Sequence, residues 1–204
     1  MKRSKQEKEN RKEDIFEAAV ACFNEYGYYR TSMDLIAARA NMTKSGLYYH
    51  FKAKDELFIQ IFHYMNDKYY AQIPKSAVSI DDPEQRLQMY VGIARQMLAQ
   101  NEDFLKFSHE FMAIGMRKPE IRKVMTSYYR EQVDRLQNTI QKGIAAGTFV
   151  NVDPQKMARD IVLTTLGAFT FYFSLDADFD LADQHSFDIT HIIRGLKNFN
   201  EDAE

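Results

Sequence analysis

Apolar residues recur every three or four positions along most of the 204-residue chain, and no stretch makes a convincing strand. From Glu13 to Tyr26, the positions Ile15, Phe16, Ala19, Val20, Cys22 and Phe23 predict a helix of about four turns. Gly27 follows where a left-handed C-terminal cap belongs. The run Thr31-Ser32-Met33-Asp34 has the form of a capping box, a hydroxyl with an acid three residues on. It opens a short helix to Ala40 with Leu35 and Ile36 inward. Asn41 makes the turn, Thr43 caps a third short helix that runs through Leu47 to about Phe51, and Lys54, Asp55 and Glu56 begin a longer fourth helix reaching about Ile73. Two short helices so close together predict a helix-turn-helix.

The pattern stays helical beyond that point. After a loop through Pro74, Asp82 and Pro83 open the next helix as cap and first residue. Others are expected to end near Arg117, to run from Pro119 to Ala146 and from Pro154 to Phe173, and to cover about Phe187 to Phe199. The acidic stretch DADFDLAD, Asp176 to Asp183, reads as a solvated connection. Its first five residues resemble a calcium loop, but Leu181 stands where glycine is needed and Phe187 where the bidentate glutamate belongs, so no metal is expected. The expected fold is all-α.

Composition narrows the class. At 45% hydrophobic and 27% charged, the chain reads as an ordinary globular protein. Its N-terminus MKRSKQEKENRKED lacks the apolar stretch of a signal peptide, and Cys22 is the only cysteine, which points to the cytoplasm. The most apolar segment, Ile161 to Leu175, is shorter than the roughly 18 residues of a membrane span, so no membrane partner is expected. The net charge of −2 conceals an asymmetry: residues 1–54 carry 11 Lys and Arg against 7 Asp and Glu, whereas residues 55–204 carry 16 against 22. A basic module on an acidic body suits a polyanion at one end. No phosphate-binding glycine loop, nucleophile elbow, zinc-spaced His and Cys or paired catalytic carboxylates appear, so neither an enzyme nor a cofactor is expected.

The segment TKSGLYYHFKAK, residues 43–54, needs Leu47 and Phe51 as helix anchors but not the tyrosines and histidine between them. Together with the preceding run from Ile15, it resembles the DNA-binding domain of the TetR family of bacterial transcriptional repressors. The resemblance lies in a helix ending in a glycine-aromatic pair, the Thr-Ser start, Ile-Ala, and a closing Leu-Tyr-x-x-Phe-x-x-Lys, over about 45 residues. It implies a three-helix DNA-binding domain over residues 1–54 and a larger helical ligand-binding and dimerisation domain over residues 55–204. Lys44, Ser45 and Tyr49 are then expected in the major groove of an operator, while Tyr48, His50 and Lys54 hold the backbone. Thr31 and Thr43 add hydroxyl contacts to phosphate, and the basic tail from Lys2 to Lys12 lies along the duplex. Gly46, where the family usually has a small side chain, offers only backbone. Ala53, where Ser or Asn often caps the next helix, leaves that helix less firmly held.

Residues 55–204 hold twelve Phe, seven Met and seven Tyr, material suited both to a core and to a cavity for a greasy ligand. Phe104, Phe107, Phe111 and Met112 form one stripe, which Met116 extends; His109 reads either as a satisfied core histidine or as a group that orients the polar end of a ligand. Phe169 and Tyr172 on the later apolar helix complete the expected ligand set. The last two helices are the dimer interface implied by the resemblance, since a palindromic operator needs two reading heads. The function expected is that of a ligand-responsive repressor: a homodimer on a palindromic operator, released by an apolar or amphipathic small molecule.

Overall fold

The structure, a computed structural model, describes residues 5–71 and 80–197, with side chains from residue 10 onward apart from those of residues 69 and 70. The first residues of the basic tail, the loop through Pro74 and the helix ends expected at Ile73 and Phe199 lie outside the described residues. Within them the chain is helical: α1 (Lys5–Arg30), α2 (Met33–Arg39), α3 (Lys44–His50), α4 (Lys54–Tyr70), α5 (Pro83–Gln100), α6 (Glu102–Gly115), α7 (Pro119–Ala145), α8 (Pro154–Ser174) and α9 (Leu181–Gly195). The only β-type pairing among the described residues is a single bridge between Phe149 and Lys197.

Packing divides the chain into two compact units. The first comprises residues 1–70 and 102–125, the second residues 71–101 and 126–204. In the first unit the expected face of α1 is buried, from Ile15 and Phe16 to Cys22 and Phe23. Gly27 then breaks the helix at φ 75° and ψ 165°, a combination that is essentially reserved for glycine. The break turns Tyr28 inward, where its ring lies 4.8 Å from Phe58 and 6.0 Å from Phe23. α6 packs against α1 and α4 in the same unit: Phe111 stacks on Phe62 at 4.2 Å, and Phe107 meets Phe58 edge-on at 4.8 Å. Burying each such ring contributes about 1.5–3 kcal/mol. In packing, α4 and α6 both belong with the first fifty-four residues, so the compact units do not divide at residue 54.

In the second unit, Leu87, Leu136, Ile140, Ile161, Ile189 and Ile193 join α5, α7, α8 and α9 around one core. Its helices start as the sequence suggests: Asp82 accepts from the Gln85 amide at 2.9 Å, and Asp153 from those of Gln155 and Lys156 at 3.0 Å, each followed by proline. One expectation is corrected. α9 begins at Leu181 and not near Phe187, because Asp180 caps it by accepting from the Asp183 amide at 2.7 Å, and Leu181, Ala182 and His185 are buried. The acidic stretch is therefore connection only up to its cap. The turn after α7 uses Gly147 at φ 73°, and Phe149 folds back over Gly143, where a Cβ would fall 2.0 Å from the Phe149 ring.

Candidate nucleic-acid interface

Ser32, not Thr31, caps α2: its hydroxyl accepts from the Leu35 amide at 3.1 Å. Thr31 is only 1% exposed, and its hydroxyl lies 3.0 Å from the Cys22 carbonyl and 2.8 Å from that of Gly27, to which it donates. A hydroxyl held in this way fastens the end of α1, so the phosphate contact expected of Thr31 is not supported by its position. Between α2 and α3, Asn41 adopts φ 51°, the left-handed conformation that asparagine tolerates, and Met42 donates to the Ala37 carbonyl at 3.0 Å. Arg39 ties α2 back to α1 through Glu25 at 2.6 Å.

Thr43 caps α3, accepting from the Gly46 amide at 3.1 Å. A Cβ on Gly46 would approach that same hydroxyl at 3.1 Å and the Met42 methyl at 3.3 Å, which accounts for the small residue. Leu47 and Phe51 are buried, with the Phe51 ring 5.7 Å from Phe16, and they fix the orientation of the helix. Lys44, Ser45, Tyr48 and Tyr49 all lie exposed, spaced i, i+1, i+4 and i+5 so that they share the face opposite the anchors. Tyr49 is 84% exposed and Tyr48 42%. His50 is half-buried at the edge, its ring 5.4 Å from that of Tyr49. Lys44 pairs with Asp34 at 2.8 Å, and that carboxylate raises its pKa; the pair is open to solvent and gives way readily to a competing acceptor.

Lys54 departs from expectation. Its ammonium donates to the Tyr28 carbonyl at 2.6 Å and the Thr31 carbonyl at 2.7 Å and lies 4.3 Å from the centre of the Tyr28 ring. Burial, with the neighbouring charge of Lys118, lowers its pKa. Asp55 accepts from the Tyr28 hydroxyl and pairs with Lys118, while the Tyr28 amide donates to Glu110 at 2.6 Å. This polar knot binds the end of α1, the start of α4, the second half of α6 and the α6–α7 connection within the first unit. Lys54 is thus a structural cation, and Lys52, exposed just past α3, is the lysine presented to solvent. The weak N-terminus expected at Ala53 is compensated by Glu56, which accepts from the Lys52 amide at 2.9 Å.

Residues 15–61 match the family model described as bacterial regulatory proteins, tetR family. The chain is 30% identical over 154 residues to an uncharacterised HTH-type transcriptional regulator, YhgD of Bacillus subtilis, covering 73% of this chain and 77% of that one. The chain belongs to the TetR family. Two solved structures share its fold: a TetR transcription regulator of Haloarcula marismortui, 21% identical with a TM-score of 0.82 over 93% of this chain and 99% of the other, and the transcriptional regulator FadR of Bacillus subtilis in complex with stearoyl-CoA, 19% identical with a TM-score of 0.77 over 90% and 98%. As a TetR-family member, the protein is a DNA-binding transcriptional regulator, and α2 and α3 are its helix-turn-helix.

The expected ligand residues are distributed unevenly. Phe104, Phe107 and Phe111 are buried in the first unit, where Phe107 and Phe111 interlock with Phe58 and Phe62, so those two rings act as core. His109 and Met112 are half-buried on the same helix, and Met116 is 71% exposed at its end. Phe169 and Tyr172 belong to the second unit; Phe169 is buried and the Tyr172 ring lies 5.7 Å from Phe179. Five large apolar residues of α8, α9 and the intervening segment face solvent: Leu163, Phe171, Leu175, Phe179 and Phe187. No described helix is long and apolar enough to cross a membrane.

Proposed function

We propose that the protein is a cytoplasmic, ligand-responsive repressor that binds a palindromic operator as a homodimer through α3 and is released by an apolar or amphipathic small molecule. The observation that carries this reading is the face of α3. Lys44 offers a cation, Ser45 and Tyr48 offer hydroxyls, and Tyr49 offers a ring nearly free of protein neighbours, all on a helix whose other side is anchored by Leu47 and Phe51. A helix presented in this way suits the major groove: the Tyr49 ring against a thymine methyl or sugar, Lys44 on guanine, and Thr43, Tyr48 and His50 along the phosphates, with the backbone at Gly46 approaching closely.

Homodimerisation is supported by the apolar surface of α8 and α9. Leu163, Gly167 and Phe171 follow one another at intervals of four on α8, and nothing packs over Gly167, so a partner helix has room to approach. The effector class is suggested by the half-buried His109 and Met112 of α6, with Phe169 and Tyr172 of α8 as further candidates, and by the stearoyl-CoA bound to the similarly folded FadR. Because α6 packs with α1 and α4, an effector that displaces α6 acts on the same packed unit that carries the recognition helix. Sedimentation and operator titration test the proposal together. Wild type should sediment as a dimer, Leu163→Glu with Phe171→Glu should give folded monomers without specific binding, and an effective ligand should weaken operator binding by the same factor by which operator weakens ligand binding. A wild-type monomer with full operator affinity would refute it.

A further inference from the structure

The second unit contains a cleft that the DNA-binding and effector roles leave unused. It lies between the start of α5 and the last turns of α7, encloses about 510 Å³, and is lined among others by Arg86 and Tyr90 from α5 and by Arg135, Asn138, Gln141 and Lys142 from α7. That volume falls within the range of small-molecule sites. Among the described residues, three cations line it and no carboxylate does, although residues 55–204 carry more acids than bases. The cleft is therefore a local reversal of charge, and the field of its three cations adds within one concavity.

The side chains are also held in place. The Arg86 guanidinium donates to the Ile80 carbonyl through Nε, at 2.9 Å, and through one Nη, and Arg135 pairs with Glu131, one turn earlier on α7, at 2.9 Å. Glu131 does not line the cleft, so even with its charge counted the site keeps an excess of positive charge. Tyr90 packs against the core of the unit and gives the cleft an aromatic wall, while Asn138 and Gln141 contribute amides at an exposed rim. Guanidinium groups recognise planar or tetrahedral oxyanions through paired N–H donors, and an ammonium adds a point charge. We infer that this cleft binds a small, multiply charged oxyanion, a phosphorylated or polycarboxylate metabolite, at Arg86, Arg135 and Lys142. An organic portion, where the ligand has one, would lie against Tyr90.

The test uses the full chain labelled with 15N and three probes: inorganic pyrophosphate, adenosine diphosphate and citrate, each titrated at near-physiological salt. The expected result is a saturable shift of the Asn138 and Gln141 side-chain amides by at least one probe. Affinity by calorimetry should fall about tenfold or more in Arg135→Gln with Lys142→Gln and remain unchanged in Arg95→Gln, which removes a cation elsewhere in the unit. Binding by pyrophosphate and adenosine diphosphate alone would assign a phosphate ligand, and binding by citrate alone a polycarboxylate. Absence of saturable binding by all three up to about 10 mM would overturn the inference, as would binding that the double substitution leaves intact. Lys142→Glu, at an exposed position, provides a second variant should the double substitution unfold. None of these readouts involves DNA, so their failure leaves the proposed operator binding untouched.

Discussion

Replacing Lys54 by Met should destabilise the protein by about 2 kcal/mol and leave the salt dependence of DNA binding unchanged. The ammonium makes two charge-assisted hydrogen bonds, to the carbonyls of Tyr28 and Thr31, at 2.6 and 2.7 Å. Shielded from water, each would contribute about 1.5–3 kcal/mol. Lys54 is only partly buried, and its loss also relieves repulsion from Lys118, so the sum must be reduced well below its upper limit. Methionine keeps the aliphatic stem against the Tyr28 ring, which confines the change to the charge. With a urea m-value of about 2 kcal/mol/M, the loss appears as a fall of about 1 M in the denaturation midpoint followed by circular dichroism. Operator affinity measured across a salt series provides the contrast, because removal of one phosphate contact lowers the slope of log K against log salt by about 0.9. An unchanged midpoint with a slope lowered by that amount would show that Lys54 grips phosphate and that its inward bonds are incidental.

Tyr49→Ala should cost about 1–3 kcal/mol on the preferred operator and little on random duplex, measured by fluorescence anisotropy; equal losses on both would remove Tyr49 from the groove. Phe111→Ala should destabilise by about 3–5 kcal/mol, since it empties a fully buried ring site stacked on Phe62; a loss below about 1 kcal/mol in a denaturant titration would mean that α6 is loosely packed. Gly143→Ala should cost about 1–3 kcal/mol through collision with the Phe149 ring, visible as a lower thermal midpoint, and an unaltered midpoint would contradict that contact. His185 is buried, with Nε2 2.9 Å from the Thr165 hydroxyl and Nδ1 unpartnered, and burial lowers its pKa against a smaller opposing effect of Asp188. The unfolded chain therefore binds the extra proton first as pH falls below about 6.5, and stability should decline there. His185→Leu should flatten that decline in a series of urea titrations, whereas an identical slope would assign it to other groups.

The helices and the identity of the reading head were legible in the sequence because short-range rules govern both. Asp82-Pro83 and Asp153-Pro154 announce helix starts, and the spacing of Leu47 and Phe51 fixes which side of α3 faces out. What escaped was decided by tertiary contact. Thr31 and Ser32 are both competent caps, and only the inward turn that Gly27 imposes on Tyr28 and its neighbours gives the cap to Ser32. Lys52 and Lys54 look alike along the chain, yet the carbonyls at the end of α1 capture only the second. Asp180 is one acid among several in its stretch, and it acts as a cap because Leu181 and Ala182 find a core to enter. The Phe and Met stripe of α6 satisfies a cavity and a core equally in one dimension; Phe58 and Phe62 from α4 fill the space beside it.

Selection of bound fragments from the source genome at near-physiological salt tests the central claim most directly, with wild type and Tyr49→Ala run in parallel. Wild type should enrich an inverted repeat whose half-site centres lie about one helical turn or a multiple apart, and Tyr49→Ala should lose that enrichment while still retaining bulk duplex. If wild type enriches no common sequence, or if Tyr49→Ala recovers the same repeat with equal strength, then α3 does not read DNA through the face that carries Lys44, Ser45, Tyr48 and Tyr49.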